Sequence, residues 1–211
     1  MAVGVEAKRG PGRPRRDSPS PEYLARQDLI LQTAAQIFAA RGYDGGTLED
    51  VAEALGMRKA SLYHYVRSKQ DLLAQLFVRA FEKGVARLEE VATTPNPAER
   101  LVAILRVYVD EMADHPGLVA AFAGGRPHFG DQRDDEFDEN DRRMVSILER
   151  AVADAVQAEA LPPVDPRYGA LAIIGMVSCV HRWYDSERDQ TPEAIAGQFA
   201  RLLGLVRSQT E

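Results

Sequence analysis

Three features of this sequence predict an all-α fold. Apolar residues recur at intervals of three and four through most of the chain, and no segment alternates at the two-residue period of a strand. Helix-start signals stand directly before periodic runs: Thr47 is followed by Asp50, and Ser68 by Asp71. Glycine and proline breaks separate the runs, at Gly56, TTPNP, His115-Pro116-Gly117 and LPPVDP. The breaks divide the chain into a basic tail over residues 1–22, a three-helix helix-turn-helix module over 23–72, and a larger helical domain over 73–211.

The tail contains Lys8-Arg9-Gly10-Pro11-Gly12-Arg13-Pro14-Arg15-Arg16. It has no apolar surface to bury, so disorder is expected. Its Gly12-Arg13-Pro14 centre resembles an AT-hook, in which an extended arginine enters a narrow A·T minor groove. On that reading Arg13 and Arg15 contact DNA; a solvated leader with weak phosphate attraction is the alternative. The segment lacks an apolar stretch of the secretory kind, and no window reaches the length of a membrane span, so a cytoplasmic location with no membrane contact is expected.

The module is built around TLEDVAEALGMRKASLYHYVRSKQDL, Thr47 to Leu72. Thr47 caps a short helix whose apolar side is Val51, Ala52 and Leu55. Gly56 stops it where the chain must turn through the left-handed region. A second helix is expected from about Arg58 to Val66, and a third from Ser68. At about 100° per residue, Leu62, Tyr65 and Val66 point inward on the second helix, while Ala60 and His64 point outward with Ser61 and Tyr63 beside them. Short helices joined by a glycine turn lay the second one in the DNA major groove. Arg58 and Lys59 stand at its positively polarised start, where phosphate is favoured. Tyr63 and His64 are placed to donate to phosphates, and Lys59 or Ser61 to reach bases. Thr47 and Lys69 begin the flanking helices and are expected to clamp phosphates on either side.

Over Leu29 to Phe77 the chain resembles the TetR family of one-component transcriptional repressors. The resemblance rests on the first helix ending at Arg41-Gly42-Tyr43, on Thr47, Val51-Ala52, Gly56 and Ser61-Leu62-Tyr63-His64-Tyr65, and on Ser68-Lys69 before Leu72. Val66 stands where members commonly have phenylalanine. The resemblance implies a repressor that binds a double-stranded DNA operator through the N-terminal module. Its C-terminal helical domain would dimerise and bind a small effector.

Charge is divided in the same way. Residues 1–72 carry 11 Lys+Arg against 9 Asp+Glu, and residues 73–211 carry 15 against 23, within a net charge of -6. The small positive excess falls where phosphate contact is expected.

Beyond the module, helices are expected over about Lys69–Val91, Pro97–Asp114, a short run through Phe122, Glu136–Glu159, Arg167–Glu187 and Pro192–Ser208. In the last two, apolar residues cover more than one packed face needs. By resemblance these two helices form a homodimer interface, including Leu171, Ile174, Val177, Ser178, Ile195, Phe199 and Leu202. The dimer would set two recognition helices roughly 34–36 Å apart on successive major grooves.

Val180-His181-Arg182-Trp183-Tyr184, with Asn96-Pro97-Ala98-Glu99-Arg100-Leu101 and Arg142-Arg143-Met144, resembles the family branch that represses lipid and steroid catabolism in response to acyl-CoA thioesters. That branch implies an apolar cavity near Phe122 and Trp183, with arginines for the CoA phosphates: Arg126, Arg133, Arg142, Arg143 and Arg182 are the candidates. The acidic balance of this domain opposes a polyanion, and another apolar effector or a drug is the competing reading.

No cofactor and no metal site are expected. The four histidines are dispersed, and the acidic run from Asp131 to Asp141 lacks the glycine placement of a calcium loop and reads as a solvated loop with a helix start. One cysteine, Cys179, excludes an internal disulfide and reads as inert core. No nucleophile elbow or phosphate loop is present, so catalysis is not expected. A thioester-processing helical enzyme and an effector-independent DNA-architectural protein are the rival readings from other classes.

Overall fold

The computed structural model describes residues 20–114, 131–188 and 190–205. These form helices α1 (Pro21–Gly45), α2 (Leu48–Ala54), α3 (Lys59–Leu62), α4 (Lys69–Val91), α5 (Pro97–Asp114), α6 (Asp131–Gln157), α7 (Pro166–Ser178) and α8 (Pro192–Leu202), with a 3-10 turn at Val180–Arg182. The fold is all-helical, as the periodicity predicts, and the described residues include no strand.

Local chemistry accounts for the boundaries. Ser20 accepts a hydrogen bond from the Tyr23 amide and Pro21 occupies the first turn of α1, where a missing N–H is harmless. Thr47 and Asp50 cap α2 reciprocally. Gly56, at φ 59°, lets the Met57 amide reach back to the Ala52 carbonyl at 2.9 Å and close α2. Asp165 and Thr191 cap α7 and α8, each followed by proline.

Two apolar cores result. Ile30, Leu31, Ala34, Leu48, Val51, Ala52, Leu62, Val66 and Leu72 form the first, joining α1 through the start of α4. The second is centred on α5, whose Leu101, Ile104, Leu105 and Val109 are fully enclosed by α4, α6, α7 and α8. Helix α4 runs through both, placing Leu72 in one and Val85 and Leu88 in the other. No described helix is long and apolar enough to cross a membrane.

Four expected boundaries move. The second module helix is only four residues long, and residues 63–65 turn instead of continuing it. Helix α6 begins at Asp131, not Glu136: acidic residues complement a helix N-terminus, so a run that reads as a loop is helical. Helix α7 ends at Ser178, not Glu187, because the chain tightens to i→i−3 bonds at Arg182 and Trp183. Helix α8 ends at Leu202, where Gly204 at φ 76° returns the Leu205 amide to the Ala200 carbonyl. The expected short helix through Phe122 lies outside the described residues, as do residues 1–19 of the basic tail, whose Ser20, Pro21 and Glu22 instead begin α1.

Gly169 sets the approach of α7 to α6. A Cβ built there would stand 2.8 Å from a Val152 methyl. Gly169→Val is expected to cost about 1–3 kcal/mol through overpacking, read as a lowered thermal midpoint; an unchanged midpoint would remove this role from Gly169.

Candidate nucleic-acid interface

The recognition helix α3 is too short to hold itself. Leu62 and Val66 anchor it in the first core and Tyr65 is half-buried beside them, the inward set predicted from the helical wheel. Arg58, Lys59, Ala60, Tyr63 and His64 are exposed and Ser61 is half-buried. The outward face therefore comes out as the sequence predicts.

The turn after α3 is held by side chains from other elements. The Tyr23 hydroxyl donates to the His64 carbonyl at 3.3 Å, and its ring stacks on Tyr65 at 4.7 Å. Gln75, 6% exposed, donates to the Tyr65 carbonyl at 3.1 Å and accepts from Gln27 at 2.8 Å. The Asp71 carboxylate accepts from the Arg67 amide at 2.8 Å.

Several cations assigned to DNA contact are occupied. Lys59 is paired with Glu49 of α2 and also lies 5.9 Å from the Tyr63 ring. The Glu49 partnership raises the Lys59 pKa above its ordinary value, and the Lys59 bond lowers that of Glu49. Lys69 donates to the Asp44 carbonyl at 3.2 Å and sits 4.4 Å from the Tyr43 ring. It ties α4 to the end of α1 and does not project as a free clamp. The Thr47 hydroxyl is used within its cap, accepting from the Asp50 amide and donating to the Asp50 carboxylate at 2.7 Å.

Sequence reasoning missed a groove of about 710 Å³ lined by Tyr23, Arg26, Met57, Arg58, Ser61, His64 and Tyr65. Arg26 projects into it from α1 and Arg58 from the start of α3. Among the described residues, the guanidinium groups of Arg26, Arg58 and Arg67 have no acidic partner, whereas Arg41 and Arg79 are paired. Gln75 was legible as a polar residue three positions after Leu72 on the inward stripe of α4. Arg26 carried no such signal.

The effector-domain candidates do not converge. Arg142, Arg143 and Arg150 line an open groove of about 340 Å³ with Glu89, Glu139, Ser146 and Ile147. Arg143 is held there by Glu89, at 2.8 Å, and by Asn140. Trp183 is 48% exposed and does not line this groove. Arg133 points to the other domain, against Asp71. Phe122, Arg126, Arg13, Arg15, His115 and His128 lie outside the described residues.

The interface set also divides. Leu171 and Leu202 are exposed, at 46% and 77%, and Ile174, Ser178 and Phe199 are half-buried. Val177 and Ile195 are buried in the chain's own core, on the inward side of their helices. Cys179 is exposed, a correction to its reading as core: it terminates α7 instead of continuing the helix's inward stripe.

Two family models match the chain. Residues 94–205 match the tetracyclin repressor-like C-terminal domain, and residues 30–76 match the bacterial regulatory proteins of the tetR family. The chain belongs to the TetR family. The HTH-type transcriptional repressor KstR2 of Mycolicibacterium smegmatis is 27% identical over 92% of this chain and 96% of its own length. A TetR/AcrR-family regulator from Thermobifida fusca superposes with TM-score 0.75 at 26% identity, covering 88% of this chain and all of that one. AibR, solved with isovaleryl coenzyme A and operator DNA, superposes with TM-score 0.68 at 29% identity, covering 85% and 98%. The TetR module and its helical partner domain make this chain a helix-turn-helix transcriptional repressor, not an enzyme.

The capping box of α2 titrates. Bonds from the Thr47 hydroxyl and amide, with Arg41, hold the Asp50 carboxyl below its ordinary value. A lowered carboxyl stabilises the fold above the unfolded-state value, and that contribution fades as pH falls through the folded one. The protection factors of amides over residues 48–54, relative to their intrinsic exchange rates, should therefore fall below about pH 4. In Asp50→Asn they should already be lower at neutral pH, with a flatter acid response; an identical acid profile in the two proteins would remove this role.

Proposed function

We propose that the chain is a homodimeric repressor that grips a palindromic operator through the groove between α1 and α3 and is released by an acyl-CoA thioester. The observation carrying the DNA reading is the pair of guanidinium groups, Arg26 and Arg58, without an acidic partner among the described residues and opening into one groove beside the exposed face of α3. They flank that face with charge free for phosphate, while Ala60, Ser61, Tyr63 and His64 present small or hydrogen-bonding groups toward the bases. Lys59 joins them by exchanging Glu49 for phosphate. Thr47 and Lys69 serve mainly by fixing the helices that flank α3, and Arg13 and Arg15 supply further phosphate attraction. The working compartment is the cytoplasm.

Self-association is proposed through α7 and α8. Leu171, Ile174 and Ser178 recur at helical spacing along one side of α7, and Gly175 between them leaves room for close approach. On α8, exposed Leu202 and half-buried Phe199 add further apolar surface. Exposed apolar side chains in this number suit burial against a second copy.

The effector reading rests on AibR, whose complex contains isovaleryl coenzyme A, and on the open arginine groove of α6, where Arg142 and Arg150 have no acidic partner among the described residues. These arginines suit the CoA phosphates. The acidic balance of residues 73–211 favours the second reading, an uncharged apolar ligand.

Arg26→Ala and Arg58→Ala should each weaken operator binding several-fold and reduce the salt slope of log affinity by about 1, measured by fluorescence anisotropy on DNA flanking the coding region. Unchanged slopes in both would remove the phosphate role. In the same assay, isovaleryl-CoA and longer acyl-CoA thioesters should release the DNA where free CoA does not. Binding undisturbed by every thioester would move the effector to the uncharged class.

A further inference from the structure

The polar contacts beneath the recognition turn lead across the domain boundary. Asp71 uses one carboxylate oxygen for the Arg67 amide at 2.8 Å and the Gln75 side chain at 3.1 Å. Its other oxygen accepts from Arg133, in the first turn of α6. The pair is well enclosed, with the Asp71 side chain 10% exposed and that of Arg133 24%. One turn further along α6, Phe137 packs between Phe77 and Phe81 of α4, with centroids at 5.8 Å and 5.2 Å.

We propose that Arg133 is a positioning residue for DNA recognition: its ion pair with Asp71 transmits the placement of α6 to the turn that aims α3. Arg133 orients the Asp71 carboxylate, which holds the Arg67 amide directly and the Tyr65 carbonyl through Gln75. Gln75 in turn joins Gln27 of α1. A shared carboxylate couples its partners, because losing one charge-assisted bond weakens the orientation of the rest. Displacing the first turn of α6 by an ångström or two separates the charges and releases the recognition turn, without any ligand touching the DNA-binding module. The coupling is a difference in stability between two placements of one joint, which an effector biases by favouring one of them.

The assignment goes beyond the operator and effector readings, and its first test needs neither DNA nor ligand. Amide exchange followed by mass spectrometry on the full chain should show residues 58–67 exchanging about tenfold faster in Arg133→Gln than in the parent. Residues 101–109 of the second core should be unchanged, and Arg133→Lys should recover most of the protection. Operator affinity should fall in parallel in Arg133→Gln, with an unaltered salt slope, because no phosphate contact is lost. Unchanged exchange over 58–67 in Arg133→Gln would overturn the proposal, as would acceleration spread equally over both cores. Failure of the parent chain to bind the chosen operator would count against the operator reading alone, since the exchange result stands by itself.

Discussion

A helix of four residues cannot sustain its own geometry. Nucleating a helical turn is unfavourable, and stability in short helices comes from what surrounds them. The recognition element here meets that constraint from outside. Leu62 and Val66 anchor it by burial, while Tyr23, Gln75 and Asp71 hold the His64 carbonyl, the Tyr65 carbonyl and the Arg67 amide of its exit. The placement of the outward face of α3 is thus set by residues on α1 and α4, of which Gln75 is buried beneath it.

This dependence gives α4 its importance. The helix contributes Leu72, Asp71 and Gln75 to the first core and its joint, and Val85 and Leu88 to the second core. A continuous helix is stiff along its axis, so motion of its second half cannot be absorbed within it. The stacked Phe77, Phe81 and Phe137 rings fix α6 against the same stretch. The two domains are consequently joined by packed side chains along α4.

Much of the fold was legible in the sequence because its signals are local. Capping by Thr47 and Ser68, the turn at Gly56 and the inward set Leu62, Tyr65 and Val66 depend on residues a few positions apart. What was not legible depended on distance. Glu49 captures Lys59 from ten residues away, Asp44 captures Lys69 from twenty-five, and Asp71 captures Arg133 from sixty-two. Each gives a cation an intramolecular partner that neighbouring residues do not reveal. Arg26 gained its place for the same reason, since only the packing of α1 against α3 brings it beside Arg58. The α7 and α8 stripes were visible, but Val177 and Ile195 differ from Leu171 and Leu202 only by which side of the helix faces the core.

Where Lys59 meets phosphate as proposed, its pairing with Glu49 bears on how the protein meets the genome as a whole. A repressor searches among a vast excess of sites that share its phosphate backbone and differ only in base sequence. In that contact a lysine already paired with a surface carboxylate gains somewhat less from an arbitrary phosphate, by the small worth of an exposed ion pair. Only a site that also satisfies the neighbouring face of α3 compensates fully. On that reading the exposed carboxylate on α2 competes weakly with DNA for Lys59 and favours sites that also satisfy the face of α3.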